Sequence, residues 1–239
     1  MGQYLYRNPY LPAVRRIISC HQCLTTVCRR EYHVTGTASQ SVLEWMHYTP
    51  LRRFEFDMYH AADRVLVLTP QERVAMLSLA PDLHVAINPC GVDTEHFTPR
   101  PDQDTEPAIL FIGQYGDHPN ADAVRWFCET VWPPLRKAIP DLRFYAVGPQ
   151  PTPAMRDHAR RDEHITITGR VEDIRPYLAR ARVFVCPVRF GSGLRVKLLE
   201  AMAAGVPVVA TTVSAEGVPL QTGENAFLAD TARIMATSI

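Results

Sequence analysis

From Ala108 onward, short runs of β-branched and aromatic residues alternate with stretches in which apolar positions recur every three or four residues. The runs predict strands at Ala108 to Gly113, Leu142 to Val147, Ile165 to Thr168, Val183 to Cys186 and Val206 to Ala210. Between them the helical period predicts helices at about Ala121 to Ala138, Thr152 to Arg161, Ile174 to Ala181 and Leu194 to Ala204. Such βαβα alternation predicts an α/β fold with a parallel sheet covered on both faces. Ligands of these sheets bind beyond the carboxyl ends of the strands, where the turns at Gly113, Gly169 and Gly191 fall. Before them, the pattern gives a long helix near Ser41 to Ala62, a strand Arg64 to Leu68, a helix Gln71 to Leu79 and a strand Leu83 to Ile87. Thr98 to Pro107 is rich in Pro and Asp and poor in apolar residues, which predicts a linker. The expected division is residues 1–97, a linker over 98–107, and a second domain over 108–239.

The segment Phe190–Thr212 (FGSGLRVKLLEAMAAGVPVVATT) is a Gly-rich turn leading into a helix that Gly205 ends before an apolar strand. Gly191 and Gly193 allow close backbone approach to an anion, and Ser192 is a favourable N-cap. The first-turn amides have no intrahelical partner, so a pyrophosphate would satisfy both them and the helix dipole. Arg195 and Lys197 add positive charge, while Glu200, three residues after Lys197, leaves a carboxylate for sugar hydroxyls. The same residues also describe an ordinary amphipathic helix, with Leu194, Leu198, Leu199 and Met202 inward and a Lys197/Glu200 pair outward.

Composition narrows the class. The 239 residues are 46% hydrophobic, enough for a sizeable core, and the 25 basic and 25 acidic side chains cancel, so nothing marks a nucleic-acid binder. No apolar run reaches the length of a membrane span and no signal-peptide core opens the chain, which leaves the cytoplasm as the expected location. Of six cysteines, only Cys20, Cys23 and Cys28 cluster. With His33 they can be drawn as a zinc site, but Ile17, Ile18, Leu24 and Val27 around them read as strand and helix packing, and one CxxC is a weak signal. No metal or other cofactor is expected: Asp102 and Asp104 lie in the linker, where solvated charge is the better reading. His21, His33, His47 and His60 read as structural or surface residues, and His118 is the best placed histidine for contacting substrate.

The Gly-rich segment resembles the donor-sugar motif of retaining glycosyltransferases of family 4, which have the GT-B architecture of two Rossmann-like domains. The resemblance continues through Phe111–Phe127 (FIGQYGDHPNADAVRWF), Val131–Pro133 (VWP), Val147–Pro149 (VGP), Thr168–Asp173 (TGRVED) and Ala215–Gly217 (AEG), in the order seen in sugar transferases associated with exopolysaccharide synthesis. Upstream, Ala61–Glu72 (AADRVLVLTPQE) and Asn88–Asp93 (NPCGVD) are similar to the end of the acceptor-side domain and the crossing to the donor side. It implies transfer of a sugar from a nucleotide diphosphate sugar to a glycan or lipid-linked acceptor, compatible with peripheral association at the inner face of the membrane. On the matching positions, Arg195 and Lys197 hold the phosphates and Glu200 the ribose. Gly113, His118 and Asn120 pass near the diphosphate, Arg170 and Val171 face the base, and Gly191, Ser192, Gly193 and Leu194 supply backbone to the donor.

Three departures qualify this. Ser192 stands where the carboxylate-x7-carboxylate motif ending at Glu200 has its first acid, and Gln114 replaces the usual base of the first donor-side loop. The front section lacks the opening strands of the family and the end lacks its closing helices, so the chain resembles a truncated product. The expectation is weak nucleotide binding, little transfer, and poor packing before about Ser41. A non-catalytic nucleotide-binding fragment and a nucleotide-sugar epimerase of the same architecture are the competing readings.

Overall fold

The computed structural model describes residues 14–35, 40–99 and 105–239. Two compact units emerge: the described residues up to Cys90 together with Phe190–Leu194, and Gly91–Arg189 together with Arg195–Ile239. Residues 100–104 of the expected linker lie outside the described residues.

In the first unit, strands β1 (Ile17–Cys20), β2 (Arg64–Val67) and β3 (Val85–Ile87) form a parallel sheet in that order. Helices α1 (Leu24–Thr35), α2 (Gln40–His60) and α3 (Pro70–Leu79) connect them. Thr69 starts α3 by accepting the amide of Glu72, as a Thr-Pro sequence before an apolar run favours. The buried core joins Cys20, Cys23, Phe56, Tyr59, Val65, Val67 and Met76. Glu55 of α2 is buried within it and closes the start of α1, accepting from the amides of Leu24 and Thr25 at 2.9 and 2.8 Å and from the Tyr59 hydroxyl at 2.8 Å. The expectation of poor packing before Ser41 is therefore corrected for these residues. Strand β1 finds its partner in β2, and Glu55 supplies the missing partners of the α1 amides.

The second unit holds β4 (Ala108–Ile112), β5 (Arg143–Val147), β6 (Ile165–Ile167), β7 (Val183–Cys186), β8 (Val208–Ala210) and β9 (Phe227–Leu228), all parallel, in the order β6-β5-β4-β7-β8-β9. That is the doubly wound order, and its direction reverses between β4 and β7. The central strands are buried on both faces, as their unbroken apolar runs require. The helices are α4 (His118–Trp126), α5 (Trp132–Ala138), α6 (Pro153–Arg161), α7 (Arg175–Arg180), α8 (Val196–Ala203) and α9 (Ala232–Ser238).

Several boundaries differ from expectation. The helix expected over Ala121 to Ala138 begins at His118 and is interrupted by a π-helical turn at Phe127–Val131, followed by two prolines, Pro133 and Pro134, that enter α5 without amide donors. Strand β9 and helix α9 were not expected. The former spans two residues, half-buried and exposed, too short to leave a period.

Candidate functional site

The switch point between β4 and β7 sets the site. Three glycines follow three neighbouring strands: Gly113 after β4, Gly148 after β5 and Gly169 after β6. The Gly113 amide donates to Val147 O at 3.0 Å and the Gly148 amide to Gly169 O at 3.1 Å, so the sheet's ladder runs on into the loops. A Cβ on Gly148 would lie 1.9 Å from the Gly113 carbonyl oxygen. The strand ends therefore form a ledge of bare main chain. Beside it the loop after β4 is pinned by Tyr115, whose buried hydroxyl donates toward Phe111 O and Val147 O, both at 3.3 Å.

Lys197, in the first turn of α8, reaches this ledge. Its Nζ donates to Asn120 Oδ1 at 2.6 Å and stands 4.4 Å from the centroid of the Phe111 ring. Asn120 in turn donates from Nδ2 to Gln114 O at 3.0 Å and packs on Gly113, where an added Cβ would meet Asn120 Cγ at 3.1 Å. Lys197 as a whole is half-buried, but its ammonium end is enclosed. Burial pushes the Lys197 pKa down to about 8, against the attraction of Cys186, Asp117 and Glu200, and the nearby Arg195 cation adds to the shift. Burial also raises the Glu200 carboxyl, opposed by Lys197 and His96. A desolvated ammonium near a second cation is favourable ground for an added negative charge.

The second-unit candidates thus assemble in part. Asn120 packs on Gly113 and accepts from Lys197, and Arg195 and Glu200 lie within electrostatic reach of Lys197. Exposed His118 occupies the first turn of α4, and Arg170 and Val171 follow Gly169 on the loop after β6. Because α4 starts at His118, the expected loop from Gly113 to Asn120 is shorter, and Asn120 is presented by a helix.

Gly191, Ser192, Gly193 and Leu194 belong to the first unit. There Arg30 donates to Gly191 O at 2.8 Å, Ser192 Oγ donates to Cys23 O at 3.3 Å, and a Cβ on Gly193 would come within 2.5 Å of His21 O. Ser192 is not the cap of the following helix, which corrects the sequence reading. Its hydroxyl is engaged by the start of α1, and α8 begins three residues later than Gly193, at Val196, with Arg195 as the residue before the first turn. The inward face of α8 is Leu198 and Ala201, with Leu199 and Met202 half-buried.

The cysteines have other partners. Cys20 Sγ lies 3.2 Å from the Tyr59 hydroxyl and Cys23 Sγ donates to Glu55 Oε2 at 3.5 Å, and burial raises their thiols to about 11 and about 12. Among the described residues no cluster of three or more His, Cys, Asp or Glu side chains is placed to hold a metal ion, and the His33 side chain lies outside them.

Sequence reasoning missed one buried assembly. Asp122 of α4, fully enclosed, accepts from Arg189 Nε and Nη2 at 3.0 and 2.8 Å and from Arg125 Nη2 at 2.6 Å, and the Arg189 guanidinium stands over the Trp126 ring. The pair ties the helix that carries Asn120 to the end of β7. No local signal joins residues 67 apart.

A family model, glycosyl transferases group 1, matches residues 106–239, more than half of the chain. The chain belongs to that family. A phosphatidyl-myo-inositol mannosyltransferase of Mycobacterium tuberculosis is 31% identical over 143 residues, which cover 57% of this chain and 37% of that protein. The chain thus spans little more than a third of the length of this curated relative. Among solved structures, sucrose-phosphate synthase from Thermosynechococcus elongatus is similar with a TM-score of 0.70 at 22% identity, covering 93% of this chain and 57% of that one. A TarM variant of S. aureus, solved with fondaparinux, α-GlcNAc-glycerol and UDP, is similar with a TM-score of 0.71 at 13% identity, covering 97% and 44%. The α/β architecture is the GT-B type of these glycosyltransferase structures. Among the described residues no helix is long and apolar enough to cross a membrane.

Proposed function

We propose that this member of the group 1 glycosyl transferases moves a sugar from a nucleoside diphosphate sugar to a glycan or lipid-linked acceptor, in the retaining manner of family 4 and in polysaccharide synthesis. Residues 108–239 form the donor side and residues 1–97 belong to the acceptor side, working at the cytoplasmic face of a membrane. The observation that carries this reading is the enclosed Lys197 ammonium, beside Arg195, at the bare ledge where the strand order reverses. The UDP bound in the TarM structure is a ligand of the class such a site would take.

The chemistry follows from the charges. As the glycosidic bond to the diphosphate breaks through an oxocarbenium-like state, negative charge builds on the leaving oxygen. Fixed cations in a desolvated place stabilise that charge more than they stabilise the bound donor. Lys197 and Arg195 fill this role. Glu200, half-buried and one turn along α8, accepts from the ribose hydroxyls.

Lys197→Ala should weaken UDP binding by about tenfold to a hundredfold, the worth of a charge-assisted contact of about 1.5–3 kcal/mol. Calorimetric titration measures it, and unchanged affinity refutes the site. The pH dependence has a definite sign. The free protein loses the Lys197 proton at about 8, whereas a bound diphosphate retains it. Binding therefore takes up a proton above that pH, and affinity falls by up to about tenfold per unit as pH rises through it. Lys197→Arg should flatten the profile, because a guanidinium stays charged.

A further inference from the structure

We propose that Asn120 is a positioning residue: with the ring of Phe111 it holds the Lys197 ammonium in place without neutralising it, so that the charge stays available to a diphosphate. The inference rests on the donor-binding reading above, and it places Asn120 behind the lysine rather than against the donor. Asn120 is half-buried in the first turn of α4, and its amide is bonded at both ends. Oδ1 accepts from Lys197 Nζ at 2.6 Å and Nδ2 donates to Gln114 O at 3.0 Å. An ammonium can only donate and a carbonyl can only accept, so the chemistry allows the amide this one orientation. Gly113 makes room for it, since even a Cβ there would meet Asn120 Cγ at 3.1 Å.

The groups that hold the ammonium are neutral. The amide oxygen takes one of its N–H bonds, and Nζ stands over the Phe111 ring of β4, 4.4 Å from its centroid. The charged and titratable groups that face it act through their fields: Cys186 at the end of β7, Arg195 before α8, Asp117 before α4 and Glu200 on α8. A carboxylate in the place of Asn120 would hold the lysine more tightly, but it would cancel the charge and repel an incoming phosphate. With a neutral holder the lysine gives up its rotamer freedom before the ligand arrives, so binding does not carry that cost. The same fixed cation then stands ready for the charge that grows on a leaving diphosphate.

The test compares Asn120→Ala, Asn120→Asp and Lys197→Ala by calorimetric titration with UDP on either side of the pH at which Lys197 loses its proton, about 8, with Tm measured for each. Both Asn120 variants lose the bond to Gln114 O, but only Asn120→Asp sets a negative charge against the ammonium. Near neutral pH, Asn120→Ala should weaken UDP by about threefold to tenfold and Asn120→Asp by about tenfold or more, although the aspartate keeps an acceptor for the lysine. The pH above which affinity falls should move down in Asn120→Ala, which leaves the ammonium less well bonded. In Asn120→Asp it should move up by about 1 to 3 pH units. A purely structural Asn120 would make affinity follow Tm and leave that pH where it is in the parent chain, which would overturn the inference. Asn120→Asp binding UDP as well as Asn120→Ala, or better, would overturn it too, because the neutrality of the holder would then not matter. In either case, weakened binding by Lys197→Ala leaves the donor site standing. Unchanged binding by Lys197→Ala refutes the donor reading itself.

Discussion

Gly148→Ala should cost about 4 kcal/mol or more and abolish nucleotide binding, the largest effect expected of any single methyl group in this chain. Two causes combine. The backbone there has φ of +145°, a region that L side chains rarely adopt, and the new Cβ would lie 1.9 Å from a main-chain carbonyl rather than from a movable side chain. Relief requires β4 and β5 to separate at their carboxyl ends, which breaks the bond from the Gly113 amide to Val147 O. Gly169→Ala is the control. Its φ is +74° but no atom lies within 4 Å of the added methyl, so only the conformational cost of about 1 to 2 kcal/mol applies. Chemical denaturation of both variants measures the difference. Equal midpoints would show that the ledge is softer than its geometry.

Asp122→Ala should destabilise the fold by about 3 kcal/mol, at the lower end for breaking a buried pair because Arg189 keeps some contact with water. The guanidinium loses both of its charged bonds to the carboxylate while remaining over Trp126. For a chain of this size that corresponds to a fall in Tm of about 10 °C, read by circular dichroism. Replacing both partners, with Asp122→Leu and Arg189→Met, should recover part of the loss, since the less exposed of the two cations on Asp122 is then removed and the Arg125 that remains is half exposed to water. A double variant less stable than Asp122→Ala would mean that the pair contributes through shape rather than charge. Because Asp122 and Asn120 share the first turns of α4, the single variant should also loosen the contact on Lys197.

What could be read from the sequence was what repeats or clusters along it. Strands β4, β7 and β8 announce themselves because both faces are buried, so Ile109, Leu110, Phe111, Phe184, Val185, Val208 and Val209 form unbroken apolar runs. Strand β9 pairs through only Val209–Phe227 and Ala210–Leu228, and two residues carry no period. The start of α8 was misplaced because Ser192 has the chemistry of a cap, yet its hydroxyl goes to Cys23 O, a partner 169 residues away. In the site, Lys197, Glu200 and the glycines were legible as a cluster. Gly148 was visible in its Val-Gly-Pro setting, but that it touches Gly113 depends on strand adjacency, which the chain does not spell out.

The glycine ledge has a consequence for how such a protein changes its donor. Main chain at Gly113, Gly148 and Gly169 is the same whatever amino acids surround it, so under the proposed function the part of a donor common to all nucleotide sugars would meet a surface that substitution can damage but hardly tune. The groups that differ from one donor to the next would instead face Arg170, Val171 and Glu200, which rise from a loop and a helix with no ladder bond at stake. Selectivity would thereby be uncoupled from foldability. A library confined to those three positions should yield altered nucleotide preference at near-constant Tm, whereas a library that includes Gly148 should lose most of its members to unfolding.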